Sequence, residues 1–400
     1  MASSPTPASR MTYSGYLQLD ELLKLQSGPE GHLPPPSNDE MHFIITHQTF
    51  ELWFKQIRAE LNEVHGYLSE ESVREETLPT MVHHLERVIE IFRLLSNQWK
   101  VMETLSPQGF LAFRDRLGTS SGFESWQMRA LEMRLGLKQE QRVADMDPME
   151  HMKKLHSEKK ISDDAYEIMK TIATDKTLND LVSEWLSRTP INGSIPSNEG
   201  DSEVVDNFIS NHLSSMKSHA DQVVSHMVSI GHGTEESIRP RMDANHTQVC
   251  DFLSPDGIAS RSRAGLLFIE SYPELPLLSW PRKFVDTVVQ LEQSMLLFRH
   301  SHARMVERMI GRRMGTGGSS GVDYLDKTAT YRIFKDLWAV RTMLLPRKNL
   351  ADIVSTDSFG FNSDYSRCGS MSIGISSLSY SYTAIFSGSR TKRTLASSRP

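Results

Sequence analysis

The chain has 400 residues, 24% of them charged, a net charge of −6, and only two cysteines, Cys250 and Cys368. That length holds one large or two ordinary domains with ample core. The charge balance speaks against a nucleic-acid surface; two distant cysteines without a CxxC exclude a disulfide scaffold, a zinc ribbon and covalently attached haem; and no apolar run approaches the ~18 residues of a membrane span.

Residues 1–10 (MASSPTPASR) are small and polar, without the apolar stretch of a secretory signal. They are expected to be disordered, and a reducing cytoplasm is the expected compartment. Tyr13 to Leu25 has short amphipathic character, with Tyr16, Leu19, Leu22 and Leu23 apolar. A loop from Gly28 to Ser37 with four prolines and two glycines cuts it off from the rest. So short a segment cannot bury its apolar side unaided and must pack on its own domain or on a partner subunit.

Asn38, Asp39 and Glu40 open the first long helix, where acidic groups suit the helix dipole. Phe43, His47, Phe50, Phe54, Ile57 and Leu61 follow a 4-3-4-3-4 spacing, so His47 lies within a buried stripe. A second long helix spans about Thr80 to Leu105, on the stripe Val82, Leu85, Val88, Ile89, Phe92, Leu95, Trp99 and Met102. Ser106-Pro107 reads as an N-cap with proline at N1, starting a short helix that ends at Gly118. There Phe110, Phe113, Arg114 and Leu117 share one side while Arg116 looks outward. Arginine on an apolar side needs a carboxylate, either internal or on an acidic ligand.

After the GTSSG loop, a helix is expected from about Phe123 to Leu135, then short helices between Asp147 and Arg188 with caps at Ser162 and Thr177. A polar linker covers about 188–203, a helix about Val204 to Ile230, and a weaker one follows Pro240. A buried short element covers Arg263 to Ile269, a long helix Trp280 to Arg313, and a last helix Val322 to Leu345. Two-residue alternation is nearly absent from 1–346, so the fold class is all-α.

The late run Phe298–Leu325 singles out one histidine. Met295, Phe298, His302, Met305, Val306 and Met309 share a side, whereas His300 joins Arg304, Glu307 and Arg308 on the wet face. A lone histidine on an apolar face is either a core residue held by a carbonyl or a ligand to something flat and apolar such as haem. The following GTGGSSG loop (315–321) fails as a phosphate motif: it has no Walker lysine, Ser320 stands where GxGxxG needs glycine, and it follows a helix. Its backbone N–H groups and the Thr316 hydroxyl can still approach a polar ligand, unless the loop is only a connector. Two apolar-side histidines, Arg114 and this loop together describe a haem or metal site in a helical bundle. Beyond Arg347 the character changes: 14 residues from Leu350 to Pro400 are serine and none after Asp364 is acidic. Residues 347–400 read as a poorly ordered tail.

Four segments carry a resemblance. YSGYLQLDELL, NDEMHFIITHQTFELWFKQI, FLAFRDRLGTSSGFES and FRHSHARMVERMIGRRMGTGGSSGVDYL resemble the signature segments of the tryptophan 2,3-dioxygenase family and stand in its order. The similarity runs from about residue 11 to 346, a single domain with an N-terminal arm at 11–27, and is weakest between about 139 and 262. The resemblance implies a haem-binding helical bundle of the tryptophan/indoleamine dioxygenase type, with haem b as cofactor. The implied reaction cleaves the indole C2–C3 bond of L-tryptophan with O2 to give N-formylkynurenine, the first step of the kynurenine pathway. The alternative is a superfamily enzyme oxidising another indole or aromatic amino acid. By the same resemblance, His302 is the axial iron ligand, His47 the distal histidine near the indole N–H, and Phe43 part of that pocket. Arg114 pairs with the substrate carboxylate, with Phe110 one turn before it. Thr316 holds the amino-acid end, and Ser121 lies over the haem. Tyr13, Tyr16 and Leu17 reach into a neighbour's pocket in a homotetramer built as a dimer of dimers. Asn38 stands where the family usually has histidine, His42 replaces a usual apolar residue, and the serine tail has no family counterpart.

Overall fold

The computed structural model describes residues 12–27, 35–313, 321–351 and 353. Thr316 with most of its glycine loop, residues 1–10 and most of the 347–400 tail lie outside the described residues. The start of the tail is corrected: Arg347–Asn349 form a 3-10 turn, Arg347 pairs with Glu274 at 2.7 Å, and Leu350 and Ile353 pack against the core, because apolar side chains there find a surface to cover. Among those described, helices account for all the regular structure apart from an isolated bridge between Ile191 and Ser194. The all-α expectation holds. None of these helices is long and apolar enough to cross a membrane.

The arm is two short turns, α1 (Tyr13–Leu17) and α2 (Leu19–Leu22), separated at Gln18, whose φ is 52°. None of its residues is buried. Its end is tied to the next helix, where Gln26 donates to the Gln48 side chain (2.8 Å) and Gln48 donates to the Leu25 carbonyl (2.9 Å).

Three long helices carry the core: α3 (Asn38–Ser69), α4 (Leu78–Met102) and, late in the chain, α13 (Ser279–Ile310). The side chain of Ser37 accepts the Glu40 N–H and starts α3 where the acidic residues indicated. The apolar stripes meet as their spacing requires, with α4 packed along both α3 and α13. Ile57, Leu61, Leu85, Leu95, Phe284 and Met295 are all within 1% of complete burial. Each such side chain contributes ~1.5–3 kcal/mol of hydrophobic stabilisation.

The short helix after Ser106 is α5 (Pro107–Phe113), capped by the Ser106 hydroxyl on the Gly109 N–H (2.9 Å). It tightens into a 3-10 turn over Arg114–Leu117 and stops at Gly118 in a positive-φ conformation. That tightening corrects the facing of Arg116. At three residues per turn the α-helical wheel no longer applies, and Arg116 folds inward to pair with buried Glu40 at 3.0 Å.

The next helix, α6, begins at Trp126 under a Ser125 cap and not at Phe123, because Gly122–Glu124 is a separate 3-10 turn. Asp147, Ser162 and Thr177 cap α7 (Pro148–Ser157), α8 (Asp163–Thr174) and α9 (Leu178–Ser187). The polar stretch after α9 is tied to the body: Ile191 is fully buried, and Arg261 clamps both Asp201 and the Ser194 carbonyl. An antiparallel pair follows, α10 (Asp201–Ser229) and α11 (Glu235–Leu253). Here α11 starts before Pro240, against expectation. A Thr234/Ser237 capping box nucleates it, and one missing N–H near the end does not stop it. Buried α12 (Arg261–Ser271) leads to α13.

The last helix is also corrected. Val322–Leu345 is broken into α14 (Gly321–Thr328) and α15 (Lys335–Ala339). The cause is Glu292 on α13, 1% exposed, whose carboxylate accepts the backbone N–H groups of Ile333 and Phe334 and the indole N–H of Trp338. A buried carboxylate that collects N–H donors bends the chain where periodicity alone would continue a helix.

Candidate functional site

Two imidazoles approach one another from α3 and α13. On α3, the Nδ1 of His47 lies 2.8 Å from the Phe43 carbonyl. That geometry makes Nδ1 the donor and leaves Nε2 with a free lone pair. Burial lowers the pKa of His47, partly offset by this hydrogen bond, so the ring is neutral at neutral pH. Its wall is aromatic: Phe43 lies 4.0 Å from it centre to centre, and Phe43, Phe110 and Phe113 contact one another at 5.4–5.9 Å.

On α13, His302 faces the interior and His300 is exposed, as periodicity required. Burial, the nearby His47 and Arg299 lower its pKa to about 3, so His302 is a neutral, ligand-competent imidazole. Trp99 of α4 lies flat against it, with ring centres 4.4 Å apart and planes 3° from parallel. Trp99 in turn stacks on Phe50 at 4.1 Å, so aromatic contacts link α3, α4 and α13. His302 as a whole residue is half-buried.

The other expected residues are placed unequally. Arg114 is half-buried on the 3-10 turn that follows the Phe110–Phe113 wall. Ser121 is half-buried and caps the next turn by accepting the Phe123 N–H at 3.3 Å. Tyr13, Tyr16 and Leu17 are 78%, 74% and 41% exposed and do not complete this pocket from within their own chain. Thr316 is outside the described residues.

A charged cluster beside His302 escaped the sequence reading. Glu132 of α6 is 1% exposed and meets three guanidiniums: Arg129 (2.9 Å), Arg299 (2.7 Å) and Arg142. Burial alone would raise its carboxyl, but the three arginines pull it down to about 2. One carboxylate against three buried cations leaves two positive charges uncompensated within the cluster. The Nε atoms of Arg129, Arg142 and Arg299 are buried without a hydrogen-bond acceptor. Uncompensated buried charge is costly and implies an anionic counterpart. Arg299 stands one turn before His302 on the same side of α13; that position was the only local signal of the cluster.

These features fit haem. A neutral imidazole in an aromatic shell suits its iron and macrocycle, and buried cations with open donors suit its carboxylates. No group of three or more metal-ligating side chains occurs among the described residues.

Comparison with known proteins identifies the family. Residues 2–344 match the family described as "Tryptophan 2,3-dioxygenase". The chain is 38% identical over 365 residues to "Tryptophan 2,3-dioxygenase 2" of Ralstonia nicotianae, covering 88% of this chain and 98% of that protein. "Tryptophan 2,3-dioxygenase" of Sorangium cellulosum is 38% identical over 369 residues (88% and 87%), and that of Aedes aegypti 33% over 350 (85% and 86%).

Proposed function

The chain belongs to the tryptophan 2,3-dioxygenase family and is a tryptophan dioxygenase, and on that premise we propose that it works with haem b held by His302. The observation that carries the proposal is the pair of neutral imidazoles, His302 in its aromatic shell and His47 with Nδ1 tied and Nε2 open. Arg129 and Arg299 would meet the haem carboxylates, with Ser121 near the ring. Bound there, haem would supply O2 activation, so that both oxygen atoms enter across the indole C2–C3 bond and N-formylkynurenine forms.

The chain's own groups position the substrate. Nε2 of His47 accepts the indole N–H. The Phe43 carbonyl fixes the tautomer that allows this, and the low pKa keeps the lone pair available. Full removal of the indole proton is not required, since that N–H is a very weak acid. Phe43, Phe110 and Phe113 enclose the ring and exclude water. Arg114 clamps the carboxylate in the two-point geometry open to guanidinium, and Thr316 holds the ammonium end, which together select an α-amino acid. Tyr13, Tyr16 and Leu17 would close the pocket of a neighbouring subunit in a homotetramer, which supplies the cover that the exposed arm lacks. The domain extends over 11–346 and is continued by the packed residues Arg347, Leu350 and Ile353, and the enzyme works in the cytoplasm.

The test is direct. The reduced, haem-loaded protein is given L-tryptophan and air, and N-formylkynurenine is followed by its near-ultraviolet absorbance. Product formation is expected. Haem uptake without product would overturn the substrate assignment, and no haem uptake would overturn the cofactor.

A further inference from the structure

We infer that Trp99 is a positioning residue for His302: its indole plane sets the rotation of the imidazole and so the quality of the bond that the imidazole makes to iron. The inference rests on His302 as the haem ligand and concerns a residue that belongs, by its spacing, to the ordinary core stripe of α4.

Three observations separate Trp99 from its stripe neighbours. First, its plane lies 3° from that of His302 at 4.4 Å, whereas the other aromatic neighbour of His302, Phe298, is 6.4 Å away and tilted by 26°. Second, Trp99 is itself held by Phe50 at 4.1 Å, so its plane is fixed from α3, the helix that carries His47. Third, its indole N–H is buried without an acceptor, a destabilising choice at a site where phenylalanine would fill a similar space with no unmet donor.

The physical role follows from torsions. The second side-chain torsion of histidine is broad and poorly restrained by its own backbone. A metal ligand of this type is usually oriented by a hydrogen bond from its second nitrogen. Here a parallel aromatic plane supplies that restraint. Stacking also places the electron-rich indole face against the imidazole, which favours positive charge on the ligand and hence the ferric over the ferrous state.

The experiment compares haem-loaded wild type with Trp99→Met, which fills volume without a plane, Trp99→Phe, which keeps a smaller plane, and Leu95→Ala, a buried control one turn earlier on α4. The readouts are the iron–histidine stretching band of the ferrous protein, the midpoint potential, the rate of haem transfer to a scavenging protein, and Tm. Trp99→Met is expected to shift or broaden the band, raise the potential and release haem ~10–100-fold faster, the range usual for lost outer-sphere support. Trp99→Phe should move each readout in the same direction by a smaller but resolvable amount, and Leu95→Ala should lower Tm while leaving band and potential in place. If Trp99→Met does not fold, Trp99→Phe still decides, since its smaller overlap should move band and potential in the same direction. An unmoved band and potential in both Trp99 variants, or an equal movement in Leu95→Ala, would overturn the inference. Should His302→Ala retain the iron–histidine band, the ligand assignment itself fails; that outcome is distinct, because it appears with Trp99 intact.

Discussion

Glu132 and Glu292 are equally buried, each 1% exposed, yet they are satisfied in opposite ways. Glu292 accepts the N–H groups of Ile333, Phe334 and Trp338, all neutral and all within the chain. Its network closes on itself and its product is structural, the bend between α14 and α15. Glu132 faces three guanidiniums that keep two charges and several donors to spare. A closed polar network specifies a fold, whereas an open one beside a neutral histidine is prepared for an anionic guest.

The comparison breaks most visibly at the histidine beside the open network. His302→Ala should abolish stable haem binding while His300→Ala keeps it, read as Soret absorbance after gel filtration; equal occupancy would remove the reason for an open network there. Next in size is the unequal cost of the two carboxylates. Glu132→Gln leaves three cations without a counter-charge and should cost ~3–5 kcal/mol in urea unfolding. Glu292→Gln disturbs only neutral donors and should cost ~1–3 kcal/mol. Equal losses would mean that charge does not distinguish the sites.

Smaller again is the substrate clamp. Arg114→Ala should raise KM for tryptophan by the equivalent of ~1.5–3 kcal/mol, a charged hydrogen bond; an unchanged KM would make Arg114 a structural residue only. The pH dependence follows from Glu132, whose folded pKa of about 2 lies below its ordinary 4.5. Its contribution is therefore complete above about pH 4.5 and is lost as pH falls toward 2. Urea titrations across that window should show an acid limb that flattens in Glu132→Gln. The smallest effect belongs to the tail: truncation after Pro346 should leave kcat unchanged and lower Tm only slightly, because it removes the Arg347–Glu274 pair and the packing of Leu350 and Ile353 on the core; a soluble but inactive product would show that the tail takes part.

Much of the fold was legible because helix formation is local. Period-3.6 stripes located α3, α4 and α13, the Ser106, Ser162 and Thr177 caps marked starts, and His302 was separated from His300 by facing alone. The misreadings share one cause, a local rule overridden nearby or from far away. Arg116 turned inward because its helix tightened into a 3-10 turn, and the final helix broke because Glu292, some 40 residues earlier, took its N–H groups.

By itself, then, the sequence determined the helices, their apolar faces and the two candidate histidines, since these depend on residues three and four apart. Family resemblance, and not periodicity, assigned those histidines to haem. Tertiary structure alone decided the rest. Arg129, Glu132, Arg142 and Arg299 come from positions up to 170 apart, and Trp99 meets His302 across 203 residues. No local pattern encodes which distant side chains share a dry interior; packing settles that, because a buried charge must find its partner wherever the chain brings one.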